Sequence, residues 1–167
     1  DTYPYLYQEM DIIRARVKAD KPILGICLGS QLMAGAMGGA NYKGANGKEY
    51  GFMNIRLTPE GQATPVSHFD PGKTRILQMH GDTFDLPPNA VLLASSDQYV
   101  NQAYRLGKNC FGLQFHCELD HVGFENMMVE DNGRIDVPAM RAEAAQYLPT
   151  MEQQTALFMK DLFKLWN

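Results

Sequence analysis

Cys27, His116 and Glu118 are the residues whose types and spacing could carry out covalent chemistry in this chain. Cys27 stands in Pro22-Ile23-Leu24-Gly25-Ile26-Cys27-Leu28-Gly29-Ser30-Gln31. There a short apolar run ends in Gly-x-Cys-x-Gly, and a small-residue helical pattern follows from Leu28 to Met37. Strand, sharp turn bearing a nucleophile, then helix is the layout of a nucleophile elbow. Gly25 and Gly29 are expected to let the backbone turn tightly without a Cβ clash. The first turn of the helix presents the positive end of its dipole, which favours an anion at that point. An inert cysteine buried at a strand end would give the same local pattern, since free cysteine is among the most buried residue types.

The segment Phe111-Gly112-Leu113-Gln114-Phe115-His116-Cys117-Glu118 reads as a second core strand running into a polar end. Residues two apart on a strand share a face, so His116 and Glu118 should project together while Cys117 points away. A thiol nucleophile needs an imidazole to take its proton, and the imidazole needs an acceptor to fix its tautomer. The three residues supply those roles at the ends of two apparently parallel core strands. In open α/β sheets the site lies at the carboxyl ends of the strands.

The elements that must position them can be read along the chain. Leu6, Met10, Ile13 and Val17 recur at helical spacing, so residues 4–19 read as an amphipathic helix. Pro22 leads into the elbow strand, and Gly38-Gly39 should close the elbow helix. Residues 52–57 alternate as one half-buried strand, and further strands are expected at 74–79, 90–95, 99–105 and 110–116. Consecutive short strands after a strand–helix start suggest a mixed sheet. The last third is helical: Pro138 suits a first turn, Met140, Ala144 and Tyr147 form a stripe, and Thr150-x-x-Gln153 reads as the cap of a further helix carrying Phe158, Leu162 and Leu165.

GICLGSQ followed later by GLQFHCE resembles the class I, triad-type glutamine amidotransferases, in particular the branch similar to the amidotransferase part of GMP synthase. Glu49-Tyr50-Gly51 and Met79-His80-Gly81-Asp82 stand where that branch has its EYG and HGD segments. The resemblance runs from about Lys21 to at least Glu118. It implies an α/β fold of three layers, an open mixed sheet flanked by helices in the flavodoxin-like manner, with the whole chain 1–167 as one amidotransferase domain. It further implies Cys27 as nucleophile, His116 as general base and then acid, and Glu118 as orienting carboxylate. Leu28, through its backbone N–H, Gln31, and the backbone around Gly81 and Asp82 would hold glutamine. Two departures stand out. Cys117 replaces the proline that many relatives carry between His and Glu. The family's first strands and a glycine-proline-rich oxyanion loop precede the elbow, whereas Asp1-Thr2-Tyr3-Pro4 already falls in the helix before it, so the domain is expected to be partial at its N-terminus.

Other residues have plainer readings beside sharper ones. His116-x-Glu118-x-x-His121 could be metal ligands, but no cysteine-rich spacing supports zinc, and no metal or cofactor is expected. His80 is either a second acid–base group or, as favoured here, a structural histidine whose loop presents backbone groups. His68 reads as a solvated turn residue, Asp82 and Asp85 as local turn caps, and Cys110 as core. Met127-Met128 read as core filling, and the acidic stretch Glu125 to Asp131 as a loop or helix edge.

Bulk properties narrow the partners. The 167 residues carry 15 basic and 19 acidic side chains with no basic cluster, which argues against nucleic acid. No apolar run is long enough to span a bilayer. Three cysteines without paired spacing suit a reducing cytoplasm. The function expected is glutamine hydrolysis through a Cys-His-Glu triad, with ammonia passing to a separate synthetase subunit. The alternatives are a γ-glutamyl amide or peptide hydrolase with no ammonia acceptor, and a catalytically silent amidotransferase-like binding domain. An α/β-hydrolase with a cysteine elbow has the triad in another order, since here His116 precedes Glu118.

Overall fold

The computed structural model describes residues 3–129, 133 and 135–167. Glu130 and Asp131, the end of the acidic stretch, lie outside the described residues. The chain starts with helix α1 (Tyr5–Lys18), strand β1 (Ile23–Ile26) and helix α2 (Leu28–Ala36). Next come β2 (Asn41–Lys43), β3 (Glu49–Met53), β4 (Arg56–Leu57), α3 (Pro59–Gln62) and a 3-10 turn at Pro65–Phe69. Strands β5 (Ile76–His80), β6 (Asp82–Phe84), β7 (Val91–Ser95), β8 (Ala103–Leu106) and β9 (Cys110–Leu113) precede α4 (His121–Val129) and α5 (Val137–Trp166).

The central sheet has the order β1-β9-β8-β7-β4. Its β1–β9 pair is parallel and the remaining pairs are antiparallel, so the sheet is mixed as expected. Two ribbons, β2–β6 and β3–β5, stand beside it. Side chains alternate across the pleat, and this divides the core. Tyr104, Leu106 and Cys110 pack with Val17 of α1 and Met33 of α2 on one face. Ala103, Phe111 and Leu113 pack with Met151, Phe158 and Leu162 of α5 on the other. The result is helix, sheet, helix: three layers.

Several local expectations are met, and others fail for identifiable reasons. The left-handed Gly38 (φ 100°) ends α2, with the Gly39 N–H donating to the Ala34 carbonyl at 2.9 Å. Residues 52–57 are not one strand. The ladder breaks at Asn54–Ile55, β3 pairs with β5, and β4 pairs with β7 in the central sheet. In an unbroken strand Phe52 and Ile55 would face opposite ways, whereas the break lets both join the same core cluster. Thr150 does not start a new helix either. α5 continues through Pro149, with Leu148 and Met151 buried on either side of it. Burial of that stripe outweighs the hydrogen bond that the proline removes. His68 is not a solvated turn residue: its Nε2 lies 2.8 Å from Asp161 Oδ2 on α5. Asp85 accepts from the Tyr42 hydroxyl at 3.0 Å rather than capping its own turn.

The elbow helix lies against the sheet through two glycines that are register partners, Gly25 on β1 and Gly112 on β9. A Cβ on Gly25 would come 2.6 Å from the Gly29 carbonyl oxygen. One on Gly112 would come 2.4 Å from the Tyr104 ring and 3.0 Å from Met33 Cε. Tyr104 has no room to swing aside, because it is fully buried and its hydroxyl donates to the Ser30 carbonyl at 2.7 Å. Gly29 differs from the expectation: a Cβ there would meet nothing within 4 Å. Its part in the motif is to bring its carbonyl up to Gly25. Gly112→Ala is therefore expected to cost about 1–3 kcal/mol through overpacking. Urea denaturation of the two proteins measures this, and an unchanged midpoint would contradict the packing described.

Candidate active site

β1 ends and α2 begins within one residue, and that residue is Cys27. Its backbone is left-handed, φ 47° and ψ −106°, in a region where non-glycine residues are strained. Bonds on both sides hold it there. The Cys27 N–H donates to the Leu113 carbonyl at 2.8 Å, continuing the β1–β9 pairing. The Cys27 carbonyl accepts from the Ser30 N–H at 3.0 Å and the Ser30 hydroxyl at 2.7 Å. The turn sets the half-buried Cys27 at the carboxyl end of β1. The Leu28 N–H lies in the first turn of α2, where amides have no intrahelical partner.

His116 reaches the same place by a different route from the one expected. β9 stops at Leu113 instead of running to 116, and the chain bends at Gln114-Phe115. A single bridge to β5 then catches His116, with its N–H donating to the Leu77 carbonyl at 2.9 Å. From there Cys117 turns into the core and is 2% exposed, while His116 and Glu118 share the other side. His116 Nδ1 lies 2.7 Å from Glu118 Oε1. Glu118 Oε2 accepts from the Cys117 N–H at 2.9 Å. A proline at 117 would lack that donor. The Thr155 hydroxyl, on α5, donates to the Cys117 carbonyl at 2.9 Å and so ties this turn to the long helix.

The structure thus brings His116 and Glu118 into direct contact and sets Cys27 close enough to the imidazole to act on its charge. Burial by itself pushes the imidazolium down, but hydrogen bonds from Cys27 and Glu118 and their negative charge outweigh it and raise His116 to about 10. Burial likewise disfavours the Glu118 carboxylate, yet the bond and charge of His116 leave its pKa lowered.

The residues expected to hold substrate make contacts within the protein. Gln31 is buried on α2, with its Nε2 3.1 Å from Gln114 Oε1 and 3.5 Å from the Asp82 carbonyl. The Gly81 carbonyl is already taken by the Gly44 N–H at 2.8 Å. The Asp82 side chain is exposed and its carbonyl faces inward, 3.0 Å from His80 Nδ1. His80 is structural, as favoured: its Nε2 lies 2.9 Å from Glu49 Oε2 in a pair whose side chains are 2% and 1% exposed. His121 opens α4 and is exposed. Among the described residues no group of three or more His, Cys, Asp or Glu side chains could hold a metal ion.

Residue-by-residue reading passed over Gln114 and Gln102. Both are fully buried, and Gln102 donates to Glu49 Oε2 at 2.6 Å. The available signal was a glutamine between Leu113 and Phe115, an uncharged polar group inside an apolar run, which must find partners when buried.

Residues 2–134 match the family model described as glutamine amidotransferase class-I. The chain belongs to that family. It is 37% identical over 112 residues to gamma-glutamyl peptidase 4 of Arabidopsis thaliana, an alignment covering 65% of this chain and 44% of the plant protein. It is 35% identical over 115 residues to the glutamine-hydrolyzing GMP synthase of Bacillus velezensis, covering 67% of this chain and 21% of the synthase. The chain therefore spans less than half the length of either relative. Among solved structures, a glutamine amidotransferase from Thermotoga maritima superposes with a TM-score of 0.80 at 31% identity, covering 99% of this chain and 71% of that one. A second, from Methylobacillus flagellatus, gives 0.78 at 25% identity, covering 99% and 70%. These likenesses carry the three-layer amidotransferase fold. No helix among the described residues is long and apolar enough to cross a membrane.

The arrangement around His116 makes a pH prediction. Its folded-state pKa is raised above the ordinary 6.5, so its contribution to stability is complete below 6.5 and is lost as pH rises through about 10. That of Glu118, whose pKa is lowered from 4.5, is present above 4.5 and is lost as pH falls through the depressed value. In an NMR titration His116 is expected to stay protonated past pH 8, well above its ordinary 6.5, and to titrate lower in Cys27→Ala and in Glu118→Gln. A wild-type His116 that titrates near 6.5 would contradict the assigned contacts.

Proposed function

We propose that this chain, as a glutamine amidotransferase domain, hydrolyses the side-chain amide of glutamine. The observation that carries the reading is the meeting of the Cys27 thiol with an imidazole already held by a carboxylate. In this reaction the Cys27 thiol passes its proton to His116 Nε2 and the sulfur attacks the carboxamide carbon; the C–S bond forms as the C=O π bond opens to a tetrahedral oxyanion. The Leu28 N–H supplies one donor to that oxygen, at a helix start where the dipole also favours negative charge. His116 gives its Nε2 proton to the amide nitrogen, the C–N bond breaks, and ammonia leaves a γ-glutamyl thioester. Water then loses a proton to His116 as it attacks the thioester, and glutamate departs as the sulfur is released. Glu118 holds the ring in one orientation throughout. Gln31 and the Gly81–Asp82 backbone would help hold the substrate.

Ammonia would pass to a synthetase, a role in keeping with the similarity to glutamine-hydrolyzing GMP synthases. The free cysteines suit a reducing, cytoplasmic setting. A second reading keeps the chemistry and changes the substrate to a γ-glutamyl amide or peptide, with no ammonia acceptor. The 37% identity to a plant gamma-glutamyl peptidase favours it.

Steady-state release of ammonia and glutamate separates these possibilities. Cys27→Ala is expected to abolish turnover and His116→Ala to lower it by about 10²–10⁴-fold, as for a positioned acid–base group. Glu118→Gln should lower it less. A preference for γ-glutamyl dipeptides over glutamine would select the second reading. Turnover unchanged in Cys27→Ala would overturn both.

A further inference from the structure

The Cys27 sulfur has a second polar neighbour besides the imidazole. Gln114 is fully buried at the bend after β9, and its Nε2 lies 3.7 Å from Cys27 Sγ while its Oε1 lies 3.1 Å from Gln31 Nε2. The two ends of an amide have the same shape, so its orientation has to follow from its partners. A fixed point exists at the far end of the row. The Asp82 carbonyl can only accept, and it lies 3.5 Å from the Gln31 amide, so Gln31 turns its NH₂ that way. The same NH₂ faces Gln114, which must answer with its oxygen. The NH₂ of Gln114 is then left for the sulfur.

The fixed point is itself held. The Asp82 carbonyl also takes the Nδ1–H of His80 at 3.0 Å. His80 Nε2 lies 2.9 Å from Glu49 Oε2, which accepts in addition from Gln102 at 2.6 Å. Both ring nitrogens of His80 face oxygen atoms, so the ring is fixed between Asp82 and Glu49. An unbroken row of polar groups leads from the His80–Glu49 pair through Asp82, Gln31 and Gln114 to the thiol. The titratable group set against the sulfur itself is His116, with Glu118 behind it. The Asp82 carboxylate is exposed and turned away from the row.

We infer that Gln114 is a positioning residue, which fixes the Cys27 sulfur by N–H donation and stabilises it in the anionic form. The inference rests on Cys27 being the nucleophile proposed above. A donor aimed at sulfur gains strength when the sulfur carries charge. The sulfur therefore has Gln114 as a polar neighbour in addition to His116. The amide is directed by Gln31, which ties the proposed substrate-binding residue to the state of the nucleophile.

The test reads Cys27 directly. Iodoacetamide alkylation of the Cys27 peptide is followed by mass spectrometry as a function of pH, in the full chain. Gln114→Glu keeps an acceptor for Gln31 but turns a carboxylate oxygen to the sulfur. Its alkylation midpoint should move up by about one pH unit or more, the effect of a like charge at that range. Gln114→Met, which removes the donor without adding charge, should move it less in the same direction. In Gln114→Glu, which keeps a partner for Gln31, kcat for amide hydrolysis should fall while KM changes little, a split that a merely structural role would not give. Folded variants with the wild-type midpoint would overturn the inference. Should the variants not fold, the side-chain ¹⁵N–H₂ resonance of Gln114 in the wild type must shift with the Cys27 titration, and a constant resonance would overturn it equally. Because alkylation needs no turnover, a shifted midpoint in a protein that hydrolyses no amide would support this contact while refuting the proposed function.

Discussion

The whole arrangement depends on one close approach, that of helix α2 to strands β1 and β9. Gly25 and Gly112 are paired across the parallel ladder, and neither has space for a side-chain atom. With the helix held this near, one residue has to complete the change from strand to helix, and Cys27 takes a left-handed backbone to do so. Such a conformation costs a non-glycine residue about 1–3 kcal/mol and persists only where the surroundings over-determine it. Here they do, through the Leu113 carbonyl on one side and two donors from Ser30 on the other. Tyr104, bonded to the Ser30 carbonyl beneath, links the same turn to the core.

The opposing half of the site is fixed by quite different means. His116 and Glu118 do not sit on a continuous strand. They occupy a turn held by a bridge to β5, a carboxylate that accepts from its own turn, and a threonine on α5. α5 therefore has two functions: it covers one face of the sheet with Met151, Phe158 and Leu162, and it anchors the backbone that carries the imidazole. The Pro149 irregularity is compatible with this because burial on both sides keeps the helix continuous. Cys117 illustrates how a change of residue type is absorbed. It buries a small apolar side chain and adds an N–H for Glu118, so the turn is supported without the rigidity of a proline.

How far this was legible in the chain varies by element. The elbow was readable because an apolar run, two glycines and a small-residue helix each point to the same local geometry. The pairing of His116 with Glu118 was readable from spacing, although the reason differed: a bend and a bridge preserve the alternation that a strand would have given. The division of residues 52–57 between two sheets was not readable. Local alternation is the same whether or not a strand changes partner, and only the burial of both Phe52 and Ile55 in one cluster decides it. The continuous α5 was hidden by a proline and a capping pattern, which are local signals overridden by tertiary burial. The buried row from Glu49 and His80 to Gln114 joins residues far apart in sequence, so no local pattern could disclose it.

The proposed chemistry requires that Cys27 become covalently attached to the acyl part of the substrate during turnover. Rapid acid quenching of the protein in the steady state, followed by mass spectrometry of the peptide that contains Cys27, tests this most directly. The account predicts a fraction of that peptide heavier by one γ-glutamyl group, absent from Cys27→Ser protein and from samples without substrate. Sustained amide hydrolysis with Cys27 unmodified at every quench time, or with the γ-glutamyl group on another residue, would contradict it.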